Sequence, residues 1–168
     1  CKQLKKVKLS HTLNRLGQQV FAECERLSNI NLPNSLFSIG SNCFDNTSIV
    51  SITIPKYLEE IRWGCFVNCS KLQNVVLNDM LKEIREWAFG VSGLTKIIIP
   101  ESVELIQASA FAGHSNEFHV AFLGMKTKFD INPKYFGGIV YCLPGSEAQK
   151  QARLNGIRLK PLSEFNGL

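Results

Sequence analysis

No stretch of the chain approaches the roughly 18 consecutive apolar residues that a membrane-crossing helix needs, so no transmembrane span is expected. Walker loops, G-x-G-x-x-G fingerprints, H-E-x-x-H helices and G-x-S-x-G elbows are all missing, and with them the common signatures of nucleotide, metalloprotease and hydrolase chemistry. Histidine is scarce: His11, His114 and His119 are all there is. Together with Cys142 they do not form the tight ligand pairs of a structural zinc site, so neither a metal nor a cofactor is expected. Carboxylate pairs exist at Glu59–Glu60 and at Glu83 with Glu86, but both fall between apolar positions, on turns facing solvent rather than across a cleft. With no constellation to carry a reaction, the sequence predicts that the protein is not an enzyme.

Charge of one sign is also in short supply. The net charge is +5, with lysines gathered at Lys2, Lys5, Lys6 and Lys8 and again at Lys126, Lys128, Lys134, Lys150 and Lys160. None of these runs is interleaved with aromatics in a stacking pattern, which argues against nucleic acid as a partner. No signal peptide precedes Cys1, which already stands in register with equivalent positions further along the chain. An opening unit as regular as the second lacks the atypical cap of a repeat array, so the native protein is expected to continue before Cys1, or the chain to be a mature fragment.

What the chain has in abundance is repetition. Leu27 to Phe44, LSNINLPNSLFSIGSNCF, recurs almost end to end. Anchored three residues before the first apolar position, the copies start at Cys1, Cys24, Asn46, Cys69, Val91 and His114, spaced by 23, 22, 23, 22 and 23 residues. A first apolar column runs Leu4, Leu27, Ile49, Leu72, Leu94 and breaks at Glu117. A pair of columns comes next, Ile30 with Leu32 and their equivalents, whose period of two marks a short strand. Pro33, Pro55 and Pro100 end that strand by removing a donor. Later columns hold Leu16, Ile39, Ile61, Ile84 and Ile106, then Phe21, Phe44, Phe66, Phe89 and Phe111. This second half predicts another short strand and then a helical or 3₁₀ turn. One copy cannot bury its own apolar edge, whereas stacked copies bury the columns against one another.

Six cysteines invite a disulfide framework, but their positions favour free thiols. Cys1, Cys24 and Cys69 share the anchor column with non-cysteine residues, and Cys43 and Cys65 share a slot filled elsewhere by Val20, Ala88 and Ala110. Cysteine there acts as a small hydrophobe, and buried free thiols are expected.

The pattern L-x-x-I-x-I-P-x-x-L-x-x-I-G-x-x-A-F resembles the BspA-like leucine-rich repeats over roughly residues 1–122. The expected fold is α/β and β-rich: a right-handed leucine-rich-repeat solenoid of about six coils of 22–23 residues with a strand–helix–strand C-terminal cap. Residues 1–136 hold five regular repeats and a degenerate sixth, in which Ile131 and Phe136 keep the five-residue offset of Ile39 and Phe44. Residues 137–162 form the cap, with Ile139 to Cys142 as a strand. Ser146 caps a helix carrying Ala148, Ala152 and Leu154, Gln149 completes its capping box, and Asn155–Gly156 stops it. Residues 163–168 carry no pattern and are expected to be a tail.

If Ile30 and Leu32 point inward, the alternate residues point outward in every copy. The candidate protein-binding face therefore comprises Asn29, Asn31, Ser51, Thr53, Asn74, Val76, Lys96, Ile98 and His119. Val76 and Ile98 form an apolar spot within a polar rim, the usual look of a protein contact. The resemblance implies a cell-surface or secreted protein, non-catalytic, with a protein ligand such as a host extracellular-matrix or surface protein. The alternative is a structural spacer with no ligand of its own. Val76 and Ile98 are the feature that separates the two.

Overall fold

The computed structural model describes residues 1–114 and 117–166. Two columns of short parallel strands run along a single solenoid, one pair of strands per coil. The first column starts with a bridge between Lys6 and Asn29. It continues through β3 (Ser51–Thr53), β5 (Asn74–Val76), β7 (Lys96–Ile99), β9 (His119–Phe122), β11 (Ile139–Cys142) and β12 (Arg158–Pro161). The second holds β1 (Arg15–Leu16), β2 (Ser38–Ile39), β4 (Glu60–Ile61), β6 (Glu83–Ile84), β8 (Leu105–Ile106) and β10 (Lys128–Phe129). Every pairing is parallel, and the registers stack like on like: Ile52 on Val75, Ile97 on Val120, Ile61 on Ile84 on Ile106. Each strand comes a whole coil after its predecessor, so parallel pairing is the geometry the repeat dictates.

The core lies between the columns. Leu27, Ile49, Leu72 and Leu94 are buried, and so are Leu36, Leu58, Leu81 and Val103. The phenylalanines form a stack, Phe21, Phe44, Phe66, Phe89, Phe111, with ring centroids 5.6, 5.2, 5.4 and 5.8 Å apart and rings inclined by no more than 16°. A single coil has no neighbour for its ring. The ladder exists only because the coils repeat.

After each second-column strand the chain takes a series of tight turns rather than a helix. Two residues per coil sit at left-handed φ: Gln19, Asn42, Gly64, Trp87 and Ser109 in one column, Glu23, Asn46, Asn68, Val91 and Gly113 in the other. A left-handed residue ends a right-handed helical run before it can propagate, which decides the choice the sequence left open. The same positions correct two anchors. Asn46 and Val91 occupy the left-handed column beside Glu23 and Asn68, and the inward slot next to Cys24 and Cys69 belongs to Thr47, Ser92 and His114. Coils three and five are one residue shorter between this slot and the next leucine position, so counting back three residues overshoots by one.

The sixth coil also differs from expectation. Phe129, not Ile131, pairs with Ile106, so the 23-residue spacing survives to β10 and the extra residues fall after it, before Phe136. Where the leucine column breaks at Glu117, Phe118 is fully buried and stands 5.3 Å from Phe111.

The chain closes as strand, helix, strand. Ser146 caps α1 (Glu147–Leu154) by accepting from Gln149 N–H at 3.2 Å, while Gln149 Oε1 reaches back to Gly145 N–H at 2.9 Å. Gly156 at φ 65° lets its own N–H bond Arg153 O and that of Ile157 bond Ala152 O, a Schellman ending. Ala148 and Ala152 are buried against the last coil; Leu154 is 79% exposed and takes no part in it. β12 then adds to β11 in register and covers its free edge. The residues without a pattern do fold: Leu162–Glu164 form a 3₁₀ turn and Phe165 is buried on Tyr141, centroids 5.1 Å apart. Gly167 and Leu168 lie outside the described residues.

Candidate functional site

Alternation within three-residue strands sends Ile52 inward and leaves Ser51 and Thr53 exposed; β5 does the same with Asn74 and Val76 around Val75. Pairing places Asn74 on Ser51, Val76 on Thr53, His119 on Lys96 and Ala121 on Ile98. Asn29 and Asn31 continue the same face toward the first coil, both exposed. All nine candidate residues therefore share one strand-lined surface.

That surface is not uniform. Among the described residues no backbone ladder joins β5 to β7, and none joins the Asn29 segment to β3, so the face is interrupted at both places. A groove of about 380 Å³ lies between β5 and β7, bordered by Asn74, Val76, Leu77, Lys96, Ile98 and Pro100. Val76 is 58% exposed in it. Ile98 is half-buried, because its far side belongs to a satellite apolar cluster with Ala121, Tyr141, Ile139, Leu162 and Phe165. His119 is likewise half-buried, its ring stacked on Tyr141 and its Nδ1 3.0 Å from the tyrosine hydroxyl. From coil one to β7 the face is open, and beyond β7 the C-terminal turn covers part of it.

Leu162 and Phe165 on this face escaped sequence reasoning. No period reaches them, and the one available signal was an aromatic residue isolated in a polar stretch. Beside them Asn166 O lies 3.5 Å from Lys96 Nζ.

Away from this face the polar groups are structural. Glu60, Glu83, Arg62 and Arg85 form an ion-pair network across β4 and β6, and Gln107 donates to Glu83. Partial burial pulls the Glu60 carboxyl up, but the Arg85 and Arg62 guanidiniums outweigh it and hold it below the usual carboxylate range. Five cysteines are buried and Cys1 is exposed at the open end; all six are free. Burial pushes the Cys43 thiol up to about 12 and Cys69 to about 11, the reverse of what a nucleophile needs. Cys69 instead donates to Phe44 O and meets Thr47 Oγ1 at 3.3 Å. His114 stacks on Phe118, with Nδ1 3.0 Å from Leu94 O and Nε2 2.9 Å from Phe89 O. Among the described residues no three metal-binding side chains cluster, and no helix is long and apolar enough to cross a membrane.

Comparison with known proteins agrees with this geometry. Residues 1–117 match the BspA type leucine-rich repeat region in six copies. Among solved structures, the chain is similar to a leucine-rich cell surface protein from Faecalibacterium prausnitzii at 29% identity and a TM-score of 0.60, covering 67% of this chain and 30% of that one. A leucine-rich repeat protein from Bacteroides ovatus aligns at 20% identity and a TM-score of 0.45, over 84% of this chain and 50% of that one. The pneumococcal vaccine antigen PcpA aligns at 16% identity and a TM-score of 0.44, over 90% and 58%. The chain thus spans between about a third and three fifths of the length of these structures. A search of curated proteins finds no match.

Proposed function

Because this chain belongs to the BspA-type leucine-rich repeat family, we propose that it is a non-catalytic protein-binding module of a cell-surface or secreted protein, with the strand-lined face as its contact surface. The observation that carries this reading is the groove between β5 and β7, where Val76 stands exposed beside Ile98 within a rim of Asn74 and Lys96. Soluble proteins seldom leave an apolar depression of this kind bordered by polar groups unless something fills it. The similarity to a leucine-rich cell surface protein supports the location. The ligand class that suits such a location is an extracellular protein, including host matrix or surface proteins.

The test is a screen of the purified chain against immobilised extracellular proteins, run in parallel with Val76→Asp. Val76 is exposed, so this substitution leaves the core intact and its circular dichroism and melting temperature unchanged. Saturable binding that drops tenfold or more in the folded variant supports the strand face. Binding unchanged by the variant moves the contact to the turns or the cap, and no binding by either favours a spacer that holds other parts of a longer protein apart.

A further inference from the structure

We propose that the occupant of this face is a protein segment in which an aromatic or branched aliphatic side chain is flanked by carboxylates, the apolar group entering the groove between Val76 and Ile98 and a carboxylate meeting Lys96. The inference rests on the reading of the strand face as a protein-binding surface and adds the chemistry of the partner.

Charge is the first reason. From coil one to coil five the outward positions of the first strand column are Lys6, Lys8, Asn29, Asn31, Ser51, Thr53, Asn74, Val76, Lys96 and Ile98, which contain three lysines and neither aspartate nor glutamate. The acids of these coils lie elsewhere: Glu59, Glu60, Glu83, Glu86 and Glu104 belong to the second column or its flanks, Glu25, Asp79 and Glu101 to turns, and Glu23 and Asp45 to the turns where they accept from Asn46 and Asn68. No carboxylate borders the groove itself. Glu117 and Glu164 line a second depression on the far side of Lys96, which borders it together with His119 and Tyr141, and Glu164 is held by Lys160 at 3.3 Å. A face of one sign attracts the other and excludes its own.

The chain's own C-terminal turn is the second reason. Leu162–Glu164 and Phe165 lie against the continuation of the same face, with Phe165 seated on Ala121 and Tyr141, Leu162 beside it, and Asn166 O directed at Lys96 Nζ. The segment Leu162-Ser163-Glu164-Phe165-Asn166 thus shows what this surface accommodates further on: a 3₁₀ turn carrying an aromatic anchor, with the Asn166 carbonyl oxygen toward Lys96 and the Glu164 carboxylate paired with Lys160. The groove at Val76 is the next apolar position along the face and has no such segment on it.

The interrupted ladder is the third. With β5 and β7 in separate sheets, the space between them admits a side chain that a continuous sheet would exclude.

The test is fluorescence anisotropy with three short labelled peptides: one with acidic residues around a Leu-Phe pair, one with lysines in place of the acids, and one with serines in place of the pair. Each is titrated with the parent chain, Val76→Asp, Lys96→Gln and Lys96→Glu, at about 0.05 M and about 0.5 M salt to vary screening. The acidic anchored peptide is expected to bind saturably, tenfold or more tighter than either control and more weakly at high salt. Val76→Asp and Lys96→Glu each weaken it about tenfold, Lys96→Gln weakens it less, and Lys96→Glu improves binding of the lysine peptide. Equal binding of the acidic and lysine peptides overturns the proposal. So does failure of every peptide to bind while a protein found in the screen still depends on Val76; in that case the strand face stands and only the partner chemistry falls. Acidic-peptide binding untouched by all three substitutions overturns both.

Discussion

Phe66 lies between Phe44 and Phe89 at 5.2 and 5.4 Å, fully buried, so its ring is shared by three coils. Phe66→Ala opens a void in the middle of the ladder and is expected to cost about 3–5 kcal/mol, measured by chemical denaturation. Loss of under about 1 kcal/mol would mean that the coils do not depend on the stack. His114 makes a different prediction. Burial lowers its pKa below the ordinary value of 6.5, and the carbonyls of Phe89 and Leu94, which favour the imidazolium, offset this only in part. The unfolded chain therefore takes up this proton first as pH falls, and stability drops from just above pH 6.5 down to the lower folded-state value, then levels off. Denaturation midpoints of the parent chain and His114→Asn, compared at pH 7.5 and 5.5, are expected to show a larger acid loss in the parent. Equal losses would assign the acid sensitivity to other groups.

Elements were legible to the extent that their residues repeat. The strand columns could be read because Ile52, Val75, Ile97 and Val120 recur in register, and stacking requires nothing else. The α1 boundaries came from Ser146, Gln149 and Gly156, whose roles at helix ends are local. What stayed hidden depends on three-dimensional neighbours. The slip at Asn46 and Val91 arises from coils one residue shorter, visible only once left-handed φ identifies the turn positions. Leu154 comes two residues after Ala152, about 200° around the helix at 3.6 residues per turn, so it faces away from the side that buries Ala148 and Ala152 and meets solvent. Phe165 is the largest such miss. Its seat is assembled from Ala121 and Tyr141, residues of two separate strands, and no sequence period connects them to it. Phe165→Ala is expected to cost up to about 3 kcal/mol and to speed amide exchange in β11 and β12 while the phenylalanine ladder keeps its protection. Uniform loss of protection along the chain would instead make the C-terminal turn part of the global core.

As a whole molecule the chain is nearly one-dimensional: each coil meets only the coils before and after it. Its two ends accordingly differ. β12 and the C-terminal turn cover the last coil, whereas Leu4, Val7, Leu9 and Leu13 of the first are only partly buried and Val20 is exposed at 48%. The same dimensionality lines up the outward strand residues, so side chains from distant coils act as one surface. The candidate face was readable from alternation alone. Its interruption between β5 and β7, and the covering of its far end by Phe165, were not, since both depend on how coils pack rather than on what each contains.

The strand face is tested most directly by mapping the contact with amide chemical shifts of the isotope-labelled chain as the acidic anchored peptide is added. The largest perturbations are expected at residues 74–77 and 95–99, with smaller ones at Thr53 and Asn31 and none on the second strand column. Perturbations centred on Glu60, Glu83 and Leu105, or on α1, would place the binding surface elsewhere and contradict the strand face as the working surface of this solenoid.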